Sequence, residues 1–433
     1  MISSDYKAKA TKGEIFAWCL YDFANSSYST VIITVAFSIY FTTIIADGAG
    51  MGDGARLWGR TYAVSMLIIA VVSPLLGAIA DDRGLKKRFL TAFTLLSVVA
   101  TALLFFVGRG DITLGVILFT LSNIGFNGGM HFYNSFLIDI STKDNIGRIS
   151  GYGWALGYVG GLIALVIVFP LIRGGLIEAN LTSYRLSFPV TAAFFLICSI
   201  PTLLYLKERD GFHHRPRIGS TVRSAFGRIK TTFHEIKNFR ELTKYFFAYL
   251  IYTDAVNTVI IFSSIFAHQV LGFTPAELIK YFIITQVAAA IGALVFGSIA
   301  DKLGAKRSIT ITLVIWIGVI VGAYLVETKS GFYLIGLVAG TVLGANQSIS
   351  RTLLGLFTPK GKNAEFFGFF ALVGKLAAII GPLVYGEISA YTGSQRIAIL
   401  SLAAFFLVGL IILQTVDEEA GITASKSFSK EEN

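Results

Sequence analysis

The chain is short of charge and short of cysteine. Only 14% of its 433 residues are charged against 54% hydrophobic, and the mean hydropathy is +0.70. A soluble globular domain carries far more charge, so the sequence is expected to be an integral, multi-pass membrane protein. Its two cysteines, Cys19 and Cys198, stand far apart inside apolar runs, which argues against a disulfide framework and against a metal site. No P-loop, no H-E-x-x-H helix, no convincing nucleophile constellation and no attached signalling domain is present. An intramembrane lipid-modifying enzyme and a transport-inactive sensor are therefore the weaker readings, and no cofactor is expected.

The net charge of +10 would suit a nucleic-acid binder, but the basic residues fall in short clusters between apolar runs, as topology signals do. Nucleic acid is discounted as a partner, and membrane lipids take its place. A span needs about 20 apolar residues, and only helices satisfy their own backbone groups in such a pattern. Twelve spans are expected between residues 15 and 415. The first is read as a retained span and not a signal peptide, because it is long and lacks a small-residue cleavage site. Of the 36 Lys and Arg residues, 26 fall on the side of the termini, 8 on the other and two within spans. Both termini are thus expected in the cytoplasm of a plasma or inner membrane.

The expected organisation is an N-terminal six-helix bundle over 1–206, a linker over 207–243, a C-terminal six-helix bundle over 244–415 and a cytoplasmic tail over 416–433. Val222, Phe226, Ile229, Phe233, Ile236 and Phe239 recur at helical spacing in the linker, which predicts a basic amphipathic helix on the membrane surface. The polar tail ending "SKSFSKEEN" is expected to be disordered.

Two halves of the chain repeat. "GAIADDRGLKK" from Gly77 follows the second span, and "GSIADKLGAKR" from Gly297 follows the eighth. Asp22-Phe-Ala-Asn25 aligns with Asp254-Ala-Val-Asn257, and "GYGWALG" from Gly151 with "GFFALVG" from Gly368. Parallel halves of six spans with the substrate between them are a transporter plan.

The two G-x-I-A-D-x-x-G-x-K loops resemble the signature of the major facilitator superfamily, over residues 13 to 415. "WCLYDFANSSYSTVI" more narrowly resembles the unknown-major-facilitator branch, which includes the autophagy-related vacuolar amino-acid effluxers. The resemblance implies an all-α major facilitator fold, two pseudo-symmetric bundles, and secondary active transport by a rocker switch. It also implies a gating motif at Gly77, Asp81, Gly84 and Lys86, repeated at Gly297, Asp301, Gly304 and Lys306, whose aspartates pair with basic residues across neighbouring helices. Asp82 stands where the signature has a basic residue, and Leu85 and Ala305 replace an arginine, while Lys302 keeps the basic position. The first latch is accordingly expected to be the weaker.

An ionisable residue within a span costs about 2.5 to 3.5 kcal/mol and needs a partner or an aqueous cavity. Asp22, His131, Asp254, Arg351 and Lys375 are of this kind. The superfamily plan implies that the spans of the first four line the cavity, and their depths put them in one layer. Acids and bases together point to an amphoteric solute: Asp22 or Asp254 for an ammonium, and Arg351 or Lys375 for a carboxylate. Asn25, Tyr28, Asn134 and Asn257 add hydrogen bonds. His131 and the buried acids make protons a candidate coupling ion. The rival assignment pairs Asp22 with Arg351 or Lys375 as a bond that closes one side without touching solute. A drug or lipid-like exporter is the runner-up transporter, and a monomer is expected. Glu277 and Glu387 read as interfacial, Gly153, Gly157 and Gly161 as a packing surface, and Gly381-Pro382 as a kink.

Overall fold

A computed structural model of the protein describes residues 10–46, 53–209 and 239–431. The predicted linker helix lies outside the described residues up to 238, and only its last apolar residue, Phe239, is described, at the N-cap of the helix that begins at Arg240.

Among the described residues, twelve helices are long and apolar enough to cross a membrane. Spans 1 to 6 are Lys12–Ile45, Leu57–Asp81, Lys86–Phe106, Ile112–Ile140, Ile146–Ile172 and Glu178–Tyr205. Spans 7 to 12 are Arg240–Leu271, Glu277–Leu303, Ala305–Leu325, Lys329–Phe357, Asn363–Ser389 and Gln395–Gln414. The even number puts both described ends on one side of the membrane, called here the terminal side. Hydroxyls within spans turn back onto their own helix, as Thr94 does onto the Leu90 carbonyl at 2.7 Å and Ser187 onto Tyr184 at 2.6 Å. Such bonds keep lone donors out of hydrocarbon.

Two buried cores form, one for each half. Trp18, Tyr21, Phe119 and Phe188 belong to the first, and Tyr245, Trp316, Phe332 and Phe406 to the second. The halves meet along span 2 against span 11 and span 5 against span 8. Small residues set both contacts: Gly368 abuts Pro74, and Gly151 abuts the Ala293 backbone. These are the leading glycines of the repeated "GFFALVG" and "GYGWALG" stretches, so the repeat records a duplicated helix contact. Gly153, Gly157 and Gly161 do form a packing surface, against Asp22, Ser26 and Thr30 of span 1.

The tail departs from expectation, being helical from Glu418 to Glu431. Its few apolar residues and one hydroxyl find partners that only the folded chain supplies: Ile422 is buried, Phe428 packs at a tilt against Phe239, and Ser425 donates to the Leu356 carbonyl. The Glu418 carboxylate also accepts the Ala305 and Lys306 amides at the start of span 9, at 2.9 and 3.1 Å. Glu208, after span 6, accepts the Lys86 amide at the start of span 3 in the same way. Each bundle thus uses the residue beyond its last span to cap its third helix. Glu418→Ala is expected to destabilise the second bundle by about 0.5 to 2 kcal/mol. Thermal unfolding in detergent checks this, and an unshifted transition would exclude the capping role.

Candidate functional site

Arg351 leaves span 10 and enters the first bundle. Its Nη1 donates to Asp22 Oδ2 at 3.2 Å and to Asn134 Oδ1 at 2.9 Å. Nε donates to Ser150 Oγ at 2.9 Å and Nη2 to the Ser150 carbonyl at 2.7 Å. The guanidinium lies 4.9 Å from the Trp18 ring centroid and 5.4 Å from that of Trp154. Tyr133 adds a 2.8 Å hydrogen bond to the same Asp22 oxygen and stacks on Trp18. Arg351 and Asp22 are both 2% exposed, so the pair is dry. A desolvated pair of this kind holds only where further hydrogen bonds complete it, which Tyr133, Asn134 and Ser150 do.

Closer to the terminal side, the two repeated loops form latches. Asp81 accepts the Ala364 and Glu365 amides at 3.1 and 2.9 Å, at the start of span 11. Asp301 accepts the Gly147 and Arg148 amides at 2.7 and 2.9 Å, at the start of span 5. Each half thus places a carboxylate on a helix N-terminus of the other half, where free N–H groups and the positive end of the helix dipole converge. The expected partners were basic side chains, and the lysines do other work. Lys86 forms a buried 2.7 Å ion pair with Asp139, whose other oxygen accepts from Asn363, and Lys306 donates to the Gln414 carbonyl. Arg148 Nε, at 3.8 Å from Asp301, adds a cation to the second latch.

The motif glycines have distinct duties. Gly84 and Gly304 take φ of +62° and +90°, open to glycine at little cost. Gly77 and Gly297 bring backbones together: a Cβ on Gly297 would lie 2.6 Å from the Gly147 carbonyl oxygen.

Two further polar groups lie deeper. Counted from the terminal-side helix ends, Asp22, His131 and Arg351 lie about 9 to 15 Å in, and Lys375 and Asp254 about 18 to 21 Å. Span 7 begins at Arg240, ahead of its apolar run, so the count for Asp254 includes helix that precedes that run. Lys375 donates to Asn127 Oδ1 at 2.7 Å, Asn127 donates to the Asn123 carbonyl, and Asn123 donates to Ser65. Among the described residues no carboxylate forms an ion pair with Lys375.

Asp254 and Asn257 hold a break in span 11. The span stops at Leu376 and resumes at Ile380, with Pro382 in the first turn of the new helix. Asp254 Oδ2 accepts the Gly381 amide at 2.8 Å, and Asn257 Nδ2 donates to the Ala377 carbonyl at 2.5 Å. Proline cannot continue the hydrogen-bond ladder behind it, so the predicted kink falls just upstream. Asp254 Oδ1 is buried with no close hydrogen bond among the described residues.

The remaining predicted residues are less central. Tyr28 is buried and bonded to Ser122, Asn25 contacts Met130 and Asp22, and His131 is buried with its ring against Phe132. Glu277 caps its own helix and pairs with Lys329 at 2.8 Å. Tyr133, Ser150, Asn127 and the Tyr158 to Gln347 hydrogen bond between the halves carry no charge that marks them in the sequence. Asn123 and Asn127, four apart in an apolar helix, were the available signal.

Comparison with known proteins agrees with this architecture. The family described as "Vacuole effluxer Atg22 like" matches residues 60–146 and 138–426. An uncharacterized MFS-type transporter of Bacillus subtilis, YxiO, is 33% identical over 415 residues, covering 95% of this chain and 96% of that protein. Autophagy-related protein 22-1 of Aspergillus fumigatus is 28% identical over 303 residues, 63% of this chain and 48% of its own. The solved human organic anion transporter MFSD10 superposes with a TM-score of 0.72 at 12% identity, covering 93% of this chain and 99% of its own. The proton:xylose symporter XylE does so with 0.72 at 13%, covering 96% and 97%. At such identities the two structures speak for the fold alone. The family match spans most of the chain and the fold is that of the superfamily, so this protein belongs to the Atg22-like family of major facilitator transporters, and is a membrane transporter, not an enzyme.

Proposed function

We propose that the protein moves a small zwitterionic solute, an amino acid or short peptide, by rocker-switch alternating access. The observation that carries this reading is the set of contacts between the halves on the terminal side: Asp22 with Arg351, and the Asp81 and Asp301 latches. Together they describe a transporter closed on that side. The basic-residue asymmetry makes the terminal side cytoplasmic. The family's description speaks of efflux, and we carry that direction over.

Because Arg351 is sequestered by Asp22, the solute carboxylate falls to Lys375, whose ammonium, among the described residues, donates to the Asn127 amide oxygen and pairs with no carboxylate. Asp254, whose Oδ1 is buried with no close hydrogen bond among the described residues, is the corresponding acceptor for an ammonium. Asp22 then gates and does not bind. This division sharpens the choice between solute site and closing bond that composition leaves open.

Counterflow into liposomes tests the reading, with amino acids, dipeptides, nucleosides and cationic drugs offered in turn, with and without a pH gradient. Exchange of an amino acid or peptide is expected. Lys375→Gln should raise its half-saturating concentration about ten- to a hundredfold, the loss of one charge-assisted contact. Exchange confined to cationic drugs would overturn the substrate class, and an unchanged half-saturation would remove Lys375 from the site.

A further inference from the structure

Spans 1, 5 and 8 enclose a groove of about 670 Å3 on the outer face of the molecule. Its character changes along its length. At the terminal end stand two exposed cations, Lys12 and Arg148, beside Asn145. Beyond them the walls are apolar: Phe16, Tyr152, Leu156 and Val159 from the first half, and Leu294 from the second. From Arg148 to Val159 the groove descends about 16 Å, close to one leaflet of a hydrocarbon core about 30 Å thick. Phe16 and Tyr152 stay largely exposed, at 58% and 42%, so the groove opens towards lipid.

We propose that this groove is a binding site for an anionic phospholipid of the terminal-side leaflet. The headgroup phosphate sits between Lys12 and Arg148, and one acyl chain follows Tyr152, Leu156, Val159 and Leu294. The charge pattern selects the occupant, since cations at headgroup depth above an apolar channel match a negative head and a hydrocarbon tail. The Arg148 side chain is half exposed although its Nε lies 3.8 Å from Asp301, and its amide donates to the same carboxylate, so the cation that meets the headgroup also borders the second latch. Because Ala290 and Leu294 come from the half that Asp301 also serves, the groove is complete only while that latch is closed. Bound lipid therefore favours the closed terminal side, independently of which solute is carried.

The full chain in detergent, offered phosphatidylglycerol or phosphatidylcholine and weighed by native mass spectrometry, tests this. One phosphatidylglycerol is expected to be retained in preference to phosphatidylcholine. Each cation near the surface contributes about a fivefold factor, so the double variant Lys12→Gln, Arg148→Gln should bind it about thirtyfold more weakly. Val159→Trp, which fills the channel and leaves both cations, should also displace it. Arg88→Gln with Arg307→Gln removes two exposed cations of the same side that do not line the groove, and should leave retention unchanged. Equal retention of the two lipids, or equal losses in the two double variants, would overturn the proposal, since either result is the diffuse attraction of a basic surface.

Discussion

Arg351→Met is expected to open the terminal side. The substitution leaves Asp22 and its Tyr133 hydrogen bond buried without a cation, which costs about 3 to 5 kcal/mol. The pair bridges spans 1 and 10, so the whole loss falls on the closed state. Its population relative to the open state should drop by about two to four powers of ten. Spin labels at the exposed positions Thr142 and Lys360, one in each half, report this as a shift of their distance distribution to longer values. Arg351→Lys keeps the charge and loses the fork to Asn134 and Ser150, so it should fall between. Pairing Asp22→Asn with Arg351→Met removes the orphaned charge and should reverse part of that shift. A distance distribution that Arg351→Met leaves untouched would strip the pair of its gating role.

A β-branched side chain at the helix crossings is expected to have a comparable effect by steric means. In Gly297→Val the new Cβ meets the Gly147 carbonyl oxygen at 2.6 Å and the Gly151 Cα at 3.1 Å. In Gly77→Val it meets the Ala364 carbonyl carbon at 2.6 Å and the Glu365 Cα at 2.9 Å. These are backbone atoms of the other half and cannot swing aside. Overpacking costs about 1 to 3 kcal/mol, and separating the helices also withdraws the two amides from each aspartate, about 1.5 to 3 kcal/mol per charged hydrogen bond. Either variant should lose transport and gain terminal-side accessibility while each bundle keeps its own unfolding transition. Gly386→Val, where a Cβ meets nothing within 4 Å, is the control and should transport normally. Full transport by Gly297→Val would show that the close approach is dispensable.

These two predictions draw on different parts of what the sequence disclosed. The latch glycines and aspartates stood out because the loop occurs twice, and duplication is visible without coordinates. Arg351 stood out because a charge within an apolar run is expensive. Their partners did not. Asp81 and Asp301 bind backbone amides, and an amide carries no letter of its own. Ser150, Asn127 and Tyr133 are ordinary residues in a helix until a cation from another span arrives beside them. The tail helix was hidden for a similar reason, since Ile422 and Phe428 are too few to predict a helix, yet sufficient once Phe239 and span 10 offer a surface.

Hydropathy and repetition determined the membrane class, the twelve spans and the two related halves, because helix length and hydrogen-bond self-sufficiency are properties of a segment alone. Only the tertiary structure decided that Asp22 faces Arg351, while its repeat mate Asp254 caps a broken helix. The two acids occupy matching places in the sequence, and their roles diverge because span 11 carries Pro382 and breaks, whereas span 5 runs unbroken past Asp22 and presents Gly153 to it. What a side chain does is set by the neighbour that reaches it, and neighbours far apart in the chain are chosen by packing.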